Sequence, residues 1–300
     1  MLLQKPIAIE KSFSPGAKIQ DYVQLTKMRL SGLVVFSAAM GFVIATRGDF
    51  SWTKLITLIV GGFLVTGSSN AFNQIIERDL DKLMKRTATR PLPDGRMSLV
   101  EAILAASIMG ITGIAILWFL MNPLCGILSA LSLLLYTLAY TPSKRFTSFS
   151  VLIGAIPGAF PPMLGWIAAR NEIGFEAIEL YIIQFIWQFP HFWAIAWNLD
   201  DDYKKAGFKM LPTKGGRTKS TAFITMVYTS VLIPIALLLY YFHFVSLPGM
   251  LIIAACGLLF TFQSYRLFQE CSVKAAQRLM FGSFFYLPVV QIAIMLDKLF

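Results

Sequence analysis

The sequence predicts an all-α polytopic membrane protein. Composition, apolar run length and charge placement carry that prediction. The 300 residues are 56% hydrophobic and 14% charged, and the mean hydropathy is +0.66. A soluble surface usually needs about 25% charged residues. Uninterrupted apolar runs of about 18 residues or more recur along the chain, each long enough to cross a hydrocarbon core of ~30 Å as a helix. The net charge of +10 would by itself suit nucleic acid. In so apolar a chain, Lys and Arg held in cytoplasmic loops explain it better. The expected partner is the lipid bilayer, with no nucleic acid.

The elements follow in order. Residues 1–27 are a polar cytoplasmic tail, expected to lie along the membrane surface. The tail contains Glu10 and Asp21 and has no apolar core, so it reads as neither a signal nor a transit peptide. The first span must then direct insertion. Residues 28–300 form a single transmembrane domain of nine helices, near 28–46, 54–73, 99–120, 124–140, 150–169, 177–197, 220–242, 247–265 and 279–296. Pro157, Pro161 and Pro162 fall in the fifth span, Pro190 in the sixth, Pro234 in the seventh and Pro288 in the ninth. Proline removes a backbone donor, so kinked or broken helices around a cavity are expected. Cys125, Cys256 and Cys271 show no CxxC spacing and read as packing residues.

Charge placement tests the count. With the N-terminus inside, only Arg47, Lys54, Arg170 and Lys298 of the 26 Lys and Arg fall outside. The connecting loops are short, the regime in which the positive-inside bias holds. An error of one span would scramble the asymmetry. The C-terminus is then on the side opposite the N-terminus.

Two inside loops are longer than the rest. Loop 2–3 runs from Asn73 through Glu77, Asp79 and Asp81 to Arg86, Arg90 and Pro91. Loop 6–7 runs from Asn198 through Asp200, Asp201, Asp202, Tyr203 and Lys204 to Gly207 and Pro212. Four spans separate them, so their flanking helices run in the same directions, as in a parallel repeat around one cavity. If helical, Asn73, Glu77 and Asp81 fall at i, i+4 and i+8 and share one face. They then span roughly 12 Å at 1.5 Å per residue. Asp79 points off that face and reads as solvated.

Mg²⁺ usually takes one or two carboxylates and completes its shell with water and phosphate oxygens. Glu77, Asp81 and Asp202 offer carboxylates, and Asn73 offers a carbonyl oxygen. Arg86, Arg90, Lys144, Arg145 and Lys204 can clamp phosphate oxygens. Acids and bases at the mouth of an apolar cavity suit a lipid diphosphate. A single charged loop is more often a solvated face. Two such loops at parallel positions favour a site.

His191 is the one titratable side chain well inside a predicted span, where burial makes a functional role the default. It could bind haem iron, orient a substrate or transfer a proton. The plainer alternative is a hydrogen bond to a neighbouring helix. Phe189, Phe192, Trp193 and Trp197 could stabilise a carbocation through their π faces or simply pack.

At these residues the chain resembles the UbiA superfamily of intramembrane prenyltransferases. Asn73-Gln74-x-x-Glu77-x-x-x-Asp81 resembles its first aspartate-rich motif, with Gln74 and Glu77 where Asp is common. The resemblance is closer to the haem-farnesylating branch, the protohaem IX farnesyltransferases or haem O synthases. Four segments carry it. They are 73–93, ending Arg86-Thr87-x-x-Arg90-Pro91-Leu92-Pro93; Tyr140-Thr141 with Lys144-Arg145; Gly154 to Pro162 with Gly165-Trp166; and Pro190-His191-Phe192 through Asp201-Asp202-Tyr203 to Pro212.

The resemblance implies a UbiA-type nine-helix bundle with a cytoplasmic cap built from loops 2–3 and 6–7, in a bacterial inner membrane. It implies farnesyl diphosphate and haem b as substrates, Mg²⁺ as cofactor, haem O as product and a haem A synthase as a pathway neighbour. Asn73, Glu77, Asp81 and Asp202 would be catalytic. Asn73, Glu77, Asp81, Asp201 and Asp202 would hold metal; Arg86, Arg90, Lys144, Arg145 and Lys204 diphosphate; His191 haem. One departure stands out. The superfamily's second motif commonly has two Asp four apart and then Gly four later. Here Tyr203 is four before Gly207, and Asp202 five before it, so Asp201 and Asp202 carry over better than Asp200. Two alternatives stay open. One is a quinone precursor such as 4-hydroxybenzoate as acceptor. The other is a transporter, which would need acids deep within the spans.

Overall fold

Polar caps and prolines decide where the apolar runs begin and break. The computed structural model describes residues 15–46 and 48–299, and α-helix with short π turns is the only regular structure in them. The expectations for residues 1–14 and for Arg47 lie outside the described residues. The helices are α1 (Pro15–Leu25), α2 (Met28–Ala45), α3 (Trp52–Ile76), α4 (Arg78–Asp81), α5 (Leu99–Ile116), α6 (Pro123–Leu134), α7 (Thr141–Phe146), α8 (Ser150–Gly158), α9 (Phe160–Arg170), α10 (Phe175–Asn198), α11 (Asp200–Lys205), α12 (Lys219–Ser230), α13 (Leu232–Tyr241), α14 (Leu247–Glu270) and α15 (Val273–Leu299).

Side chains one residue before the helices supply the missing acceptors. Ser51 accepts from the Lys54 amide, Ser98 from Glu101, Asn122 from Cys125 and Thr218 from Thr221. Each satisfies an orphan donor of a first turn. Pro123, just after Asn122, has no donor to lose there.

Among the described residues, eight spans are long and apolar enough to cross a membrane: Met28–Ala45, Trp52–Ile76, Leu99–Met121, Pro123–Phe146, Ser150–Arg170, Lys219–Tyr241, Leu247–Glu270 and Val273–Lys298. A helix of 24 residues, α10, stands where the sixth of the nine spans is predicted, but it is not one of these eight. It is less apolar because Glu179, Gln184, Gln188 and His191 are buried along it. The fourth span extends past its predicted end at 140, so Lys144 and Arg145 lie on helix α7 and not in a loop.

The prolines act unevenly. The fifth span breaks at Ala159, between Pro157 and the pair Pro161-Pro162. The seventh breaks at Val231, three residues before Pro234. α10 and α15 stay helical through Pro190 and Pro288. Pro162 has no N–H to give to the Gly158 carbonyl. Gln184 of α10 gives one instead, at 2.8 Å. Its Oε1 accepts from Ser37 of α2 at 2.6 Å, and Ser37 is also bonded by Gln291 of α15. One glutamine thus ties four helices inside the bundle.

α2 and α9 pack backbone to backbone. A Cβ on Gly165 would lie 1.9 Å from the Ala38 carbonyl oxygen, and one on Gly41 2.0 Å from that of Pro162. The largest apolar cluster joins α10, α12, α14 and α15 with Met84 from loop 2–3 and Phe208, Met210 and Leu211 from loop 6–7. The two charged loops are therefore packed together over the same end of the bundle.

Candidate active site

The α3–α4 junction presents the acidic face. α3 ends at Ile76, yet its hydrogen-bond pattern carries through. The Glu77 amide bonds the Asn73 carbonyl at 3.0 Å, and the Asp81 amide bonds the Glu77 carbonyl at 2.8 Å. Asn73, Glu77 and Asp81 consequently share one face, as their spacing predicts. All three are buried, Asp81 completely. Asp79 points away and is exposed, paired with Arg78 and Lys82.

These three residues line a cavity of about 190 Å³ with Lys27, Arg86, Arg90, Tyr136, Tyr140, Lys144, Phe192 and Tyr203. Each polar member of the α3–α4 face has a cationic partner. Arg90 reaches Asp81 Oδ2 at 2.7 Å, Lys144 reaches Glu77 Oε1 at 2.9 Å, and Lys27 donates to Asn73 Oδ1 at 3.0 Å. The Asn73 amide orientation follows from its neighbour. Thr141 gives its hydroxyl proton to the Tyr136 carbonyl at 2.8 Å, so it must accept from Asn73 Nδ2, at 3.2 Å. The carbonyl oxygen of Asn73 is left on the Lys27 side. Lys144 also sits over the Tyr140 ring, 4.6 Å from its centroid, a geometry that favours a retained charge.

Burial dominates the electrostatics here. It pushes the Asp81 carboxyl above the usual range, against the opposing pull of Arg90. It pushes the Lys27 ammonium down to about 7, helped by the positive charges of Arg90 and Lys144. Asp81 Oδ1 is buried and has no hydrogen-bond partner, a cost that a ligand at this spot would remove. Four cations face two carboxylates around the cavity, leaving a positive excess suited to a polyanion.

The site takes only some of the expected residues. Asn73, Glu77, Asp81, Arg86, Arg90 and Lys144 are on the cavity wall. Asp201, Asp202, Lys204, Arg145 and His191 are not among its lining residues. Asp201 is exposed and paired with Arg217 at 3.0 Å. Lys204 is exposed and paired at 2.6 Å with Asp200, the buried member of the three aspartates. Asp202 pairs with Lys205 at 3.0 Å. Lys205, with help from the backbone amides of Arg86 and Lys85, holds the Asp202 carboxyl below the usual range. Asp202 thus faces loop 2–3 from outside the cavity. Arg145 is exposed at the end of α7. No group of three or more His, Cys, Asp or Glu gathers as a metal cluster among the described residues. Two carboxylates and the Asn73 oxygen still suit a cation that takes most of its ligands from water and phosphate.

Sequence reasoning missed Lys27, Tyr136 and Tyr203. Lys27 lies at the break between α1 and α2, in the left-handed region at φ 48°. That kink turns it from a tail residue into a half-buried one on the cavity wall. The signal was a lysine immediately before the first apolar run, indistinguishable from an ordinary flanking charge.

The UbiA prenyltransferase family model matches residues 34–287. The chain belongs to the UbiA prenyltransferase family. Two relatives are similar over nearly their whole length. The protohaem IX farnesyltransferase of Cytophaga hutchinsonii is 53% identical over 95% of this chain and 100% of its own. That of Flavobacterium johnsoniae is 44% identical over 97% and 98%. Solved structures share the UbiA fold. A digeranylgeranylglyceryl phosphate synthase superposes with a TM-score of 0.78 at 19% identity, covering 94% of this chain and 99% of that one. A UbiA homologue from Archaeoglobus fulgidus bound to GPP and Mg²⁺ gives 0.70 at 17%, covering 91% and 99%.

Proposed function

We propose that this protein transfers a farnesyl group from farnesyl diphosphate to a vinyl group of haem b, with addition of water, giving haem O and diphosphate. The observation that carries the chemistry is the α3–α4 face: two buried carboxylates and an amide oxygen, each held by a cation that a diphosphate can claim. The choice of haem as acceptor is supported by relatives 53% and 44% identical that carry the protohaem IX farnesyltransferase name.

A bound Mg²⁺ supplies Lewis-acid stabilisation of the leaving diphosphate. It would be held by Asn73, Glu77 and Asp81, whose buried, unpartnered Oδ1 fits that use. The structure of a homologue with GPP and Mg²⁺ bound supports this choice of metal and substrate class. Arg90, Lys144 and Lys27 then change partners. They leave Asp81, Glu77 and Asn73 and turn to phosphate oxygens, where negative charge develops as the allylic bond breaks. Arg86, exposed at the rim, completes the clamp. Tyr136, Tyr140 and Phe192 on the cavity wall exclude water and offer π faces to the farnesyl cation. The haem vinyl attacks that cation, and water captures the resulting haem-side cation. Asp202, Asp201 and Lys204 belong to the cap that closes over the site, and the enlarged role given to Asp202 by motif spacing becomes one of loop positioning. The cap is cytoplasmic in a bacterial inner membrane, and haem O passes to a haem A synthase.

The test uses purified protein in detergent with farnesyl diphosphate and Mg²⁺, offered haem b and 4-hydroxybenzoate together. Farnesylated haem alone is expected. Prenylated hydroxybenzoate with unmodified haem would move the acceptor to the quinone-precursor class.

A further inference from the structure

Loop 6–7 sends three side chains to the wall of the cavity that holds Asp81 and Arg90: Tyr203, Phe208 and Met210. Only Tyr203 among them carries a hydrogen-bond donor. The turn after α11 puts it there. The Gly207 amide bonds the Lys204 carbonyl at 3.1 Å, and the Phe208 amide bonds the Tyr203 carbonyl at 2.9 Å. Gly207 makes the reversal in the left-handed region, at φ 72°. This pair of bonds is a Schellman stop, and its usual apolar contact is present too: the Tyr203 and Phe208 rings meet edge to face, 6.0 Å between centroids. The stop is fastened to α7, because the next amide, that of Lys209, bonds the Lys144 carbonyl at 2.7 Å. The Tyr203 phenol is thereby held within electrostatic reach of the Lys144 ammonium and the Tyr140 hydroxyl. The three aspartates before it pair with cations of loop 6–7, Asp200 with Lys204, Asp201 with Arg217 and Asp202 with Lys205. Tyr203 differs from them. It is half-buried on the cavity wall, and its hydroxyl has no hydrogen-bond partner among the described residues.

We propose that the Tyr203 hydroxyl donates a hydrogen bond to the diphosphate of the prenyl donor, so that loop 6–7 grips the substrate through a neutral phenol. This rests on a prenyl diphosphate being the substrate. The cavity already gathers Lys27, Arg86, Arg90 and Lys144 around Glu77 and Asp81. A neutral donor adds a bond to a phosphate oxygen without another charge to desolvate. The bond also strengthens as the allylic C–O bond breaks and negative charge grows on the leaving group. Two rival roles exist for the same side chain. One is metal ligation, which is disfavoured because a phenol is not among the usual oxygen ligands of Mg²⁺, whereas the Glu77 and Asp81 carboxylates on the same wall are. The other is packing, with the ring doing no more than fill the contact to Phe208.

Tyr203→Phe keeps the ring and its contact with Phe208 and removes only the hydroxyl. Wild type and variant, purified in detergent, are titrated by calorimetry with farnesyl thiolodiphosphate, an unreactive analogue of the donor, at several Mg²⁺ concentrations and without haem. The variant is expected to bind the analogue about tenfold more weakly, the worth of a hydrogen bond to a charged group. Its melting temperature should match the wild type, and raised Mg²⁺ should not restore the affinity. In turnover, kcat/KM for farnesyl diphosphate should fall by more than the affinity does, because the bond is strongest in the transition state. Analogue affinity equal to the wild type reduces the residue to packing and overturns the proposal. A loss that excess Mg²⁺ restores makes the phenol a metal ligand and overturns it as well. Wild-type protein that binds no analogue overturns the prenyl diphosphate reading itself, and the proposal with it.

Discussion

Lys27 and Asp81 bear the same burial penalty with opposite sign. Lys27 is pushed from 10.5 to about 7 and the Asp81 carboxyl is raised. For Lys27 the unfolded chain binds the proton more tightly than the folded one. Its penalty on stability is full below pH 7 and fades as pH rises from 7 toward 10.5. Lys27→Met should therefore raise the melting temperature at pH 7 and flatten the rise of stability between pH 7 and 10. It should also raise KM for farnesyl diphosphate about tenfold, the worth of one charge-assisted hydrogen bond. A thermal shift series across pH, paired with steady-state kinetics, checks both. Asp81→Asn keeps the shape and removes the charge, and turnover should fall at least about 100-fold with haem affinity unchanged. The spacing of Asn73, Glu77 and Asp81 was readable because a helical face is a local property. Lys27 was not, because only a left-handed residue between two helices turns it inward. The acids of loop 6–7 are not among the lining residues of the cavity. Arg217, Lys205 and Lys204 pair with them, though Asp200 Oδ2 is buried without a hydrogen-bond partner, and three consecutive aspartates do not announce which one is buried.

Helices here are joined by a few polar and close contacts within an otherwise interchangeable apolar packing. Gln184 replaces the donor that Pro162 lacks. Gln184→Leu would orphan the Gly158 carbonyl and the Ser37–Gln291 pair, a loss of about 1–3 kcal/mol. A matching fall in the denaturant or thermal midpoint is expected in detergent. Gly165 is a sharper case, since any side chain would enter the α2 backbone at 1.9 Å. Gly165→Leu should abolish folded protein on size exclusion, whereas Gly32, with nothing within 4 Å, should accept Ala without loss. Proline positions pointed to breaks, and the fifth and seventh spans break where expected. They did not distinguish those from Pro190 and Pro288, because a membrane helix tolerates proline when neighbours re-satisfy the freed carbonyl. The polar stripe that makes α10 the least apolar of the long helices is likewise a tertiary feature. Gln184 and His191 are legible as buried polar residues, but their partners on α2, α8 and α15 are not.

At the scale of the whole molecule, apolar and charged residues are segregated. Many large apolar side chains on α2, α3, α5 and α14 are exposed, among them Leu33, Ile56, Ile108 and Leu259, as a lipid-facing surface requires. The polar chemistry is confined to the end where loops 2–3 and 6–7 pack together. Hydropathy made the apolar helices legible, because it is a long-range average that tolerates errors of a few residues at each end. Motif spacing grouped Asn73, Glu77 and Asp81, and the fold places them with Arg86, Arg90 and Lys144 on one cavity wall. The central claim is that one cavity, walled by Asn73, Glu77 and Asp81, ionises farnesyl diphosphate for transfer to haem. Mass analysis of the haem recovered from wild-type and Asp81→Asn protein, each incubated with haem b, farnesyl diphosphate and Mg²⁺, tests it directly. The account predicts hydroxyethylfarnesyl haem from the wild type only, with haem still bound to the variant. Equal product from both, or none from the wild type while it prenylates another acceptor, would contradict it.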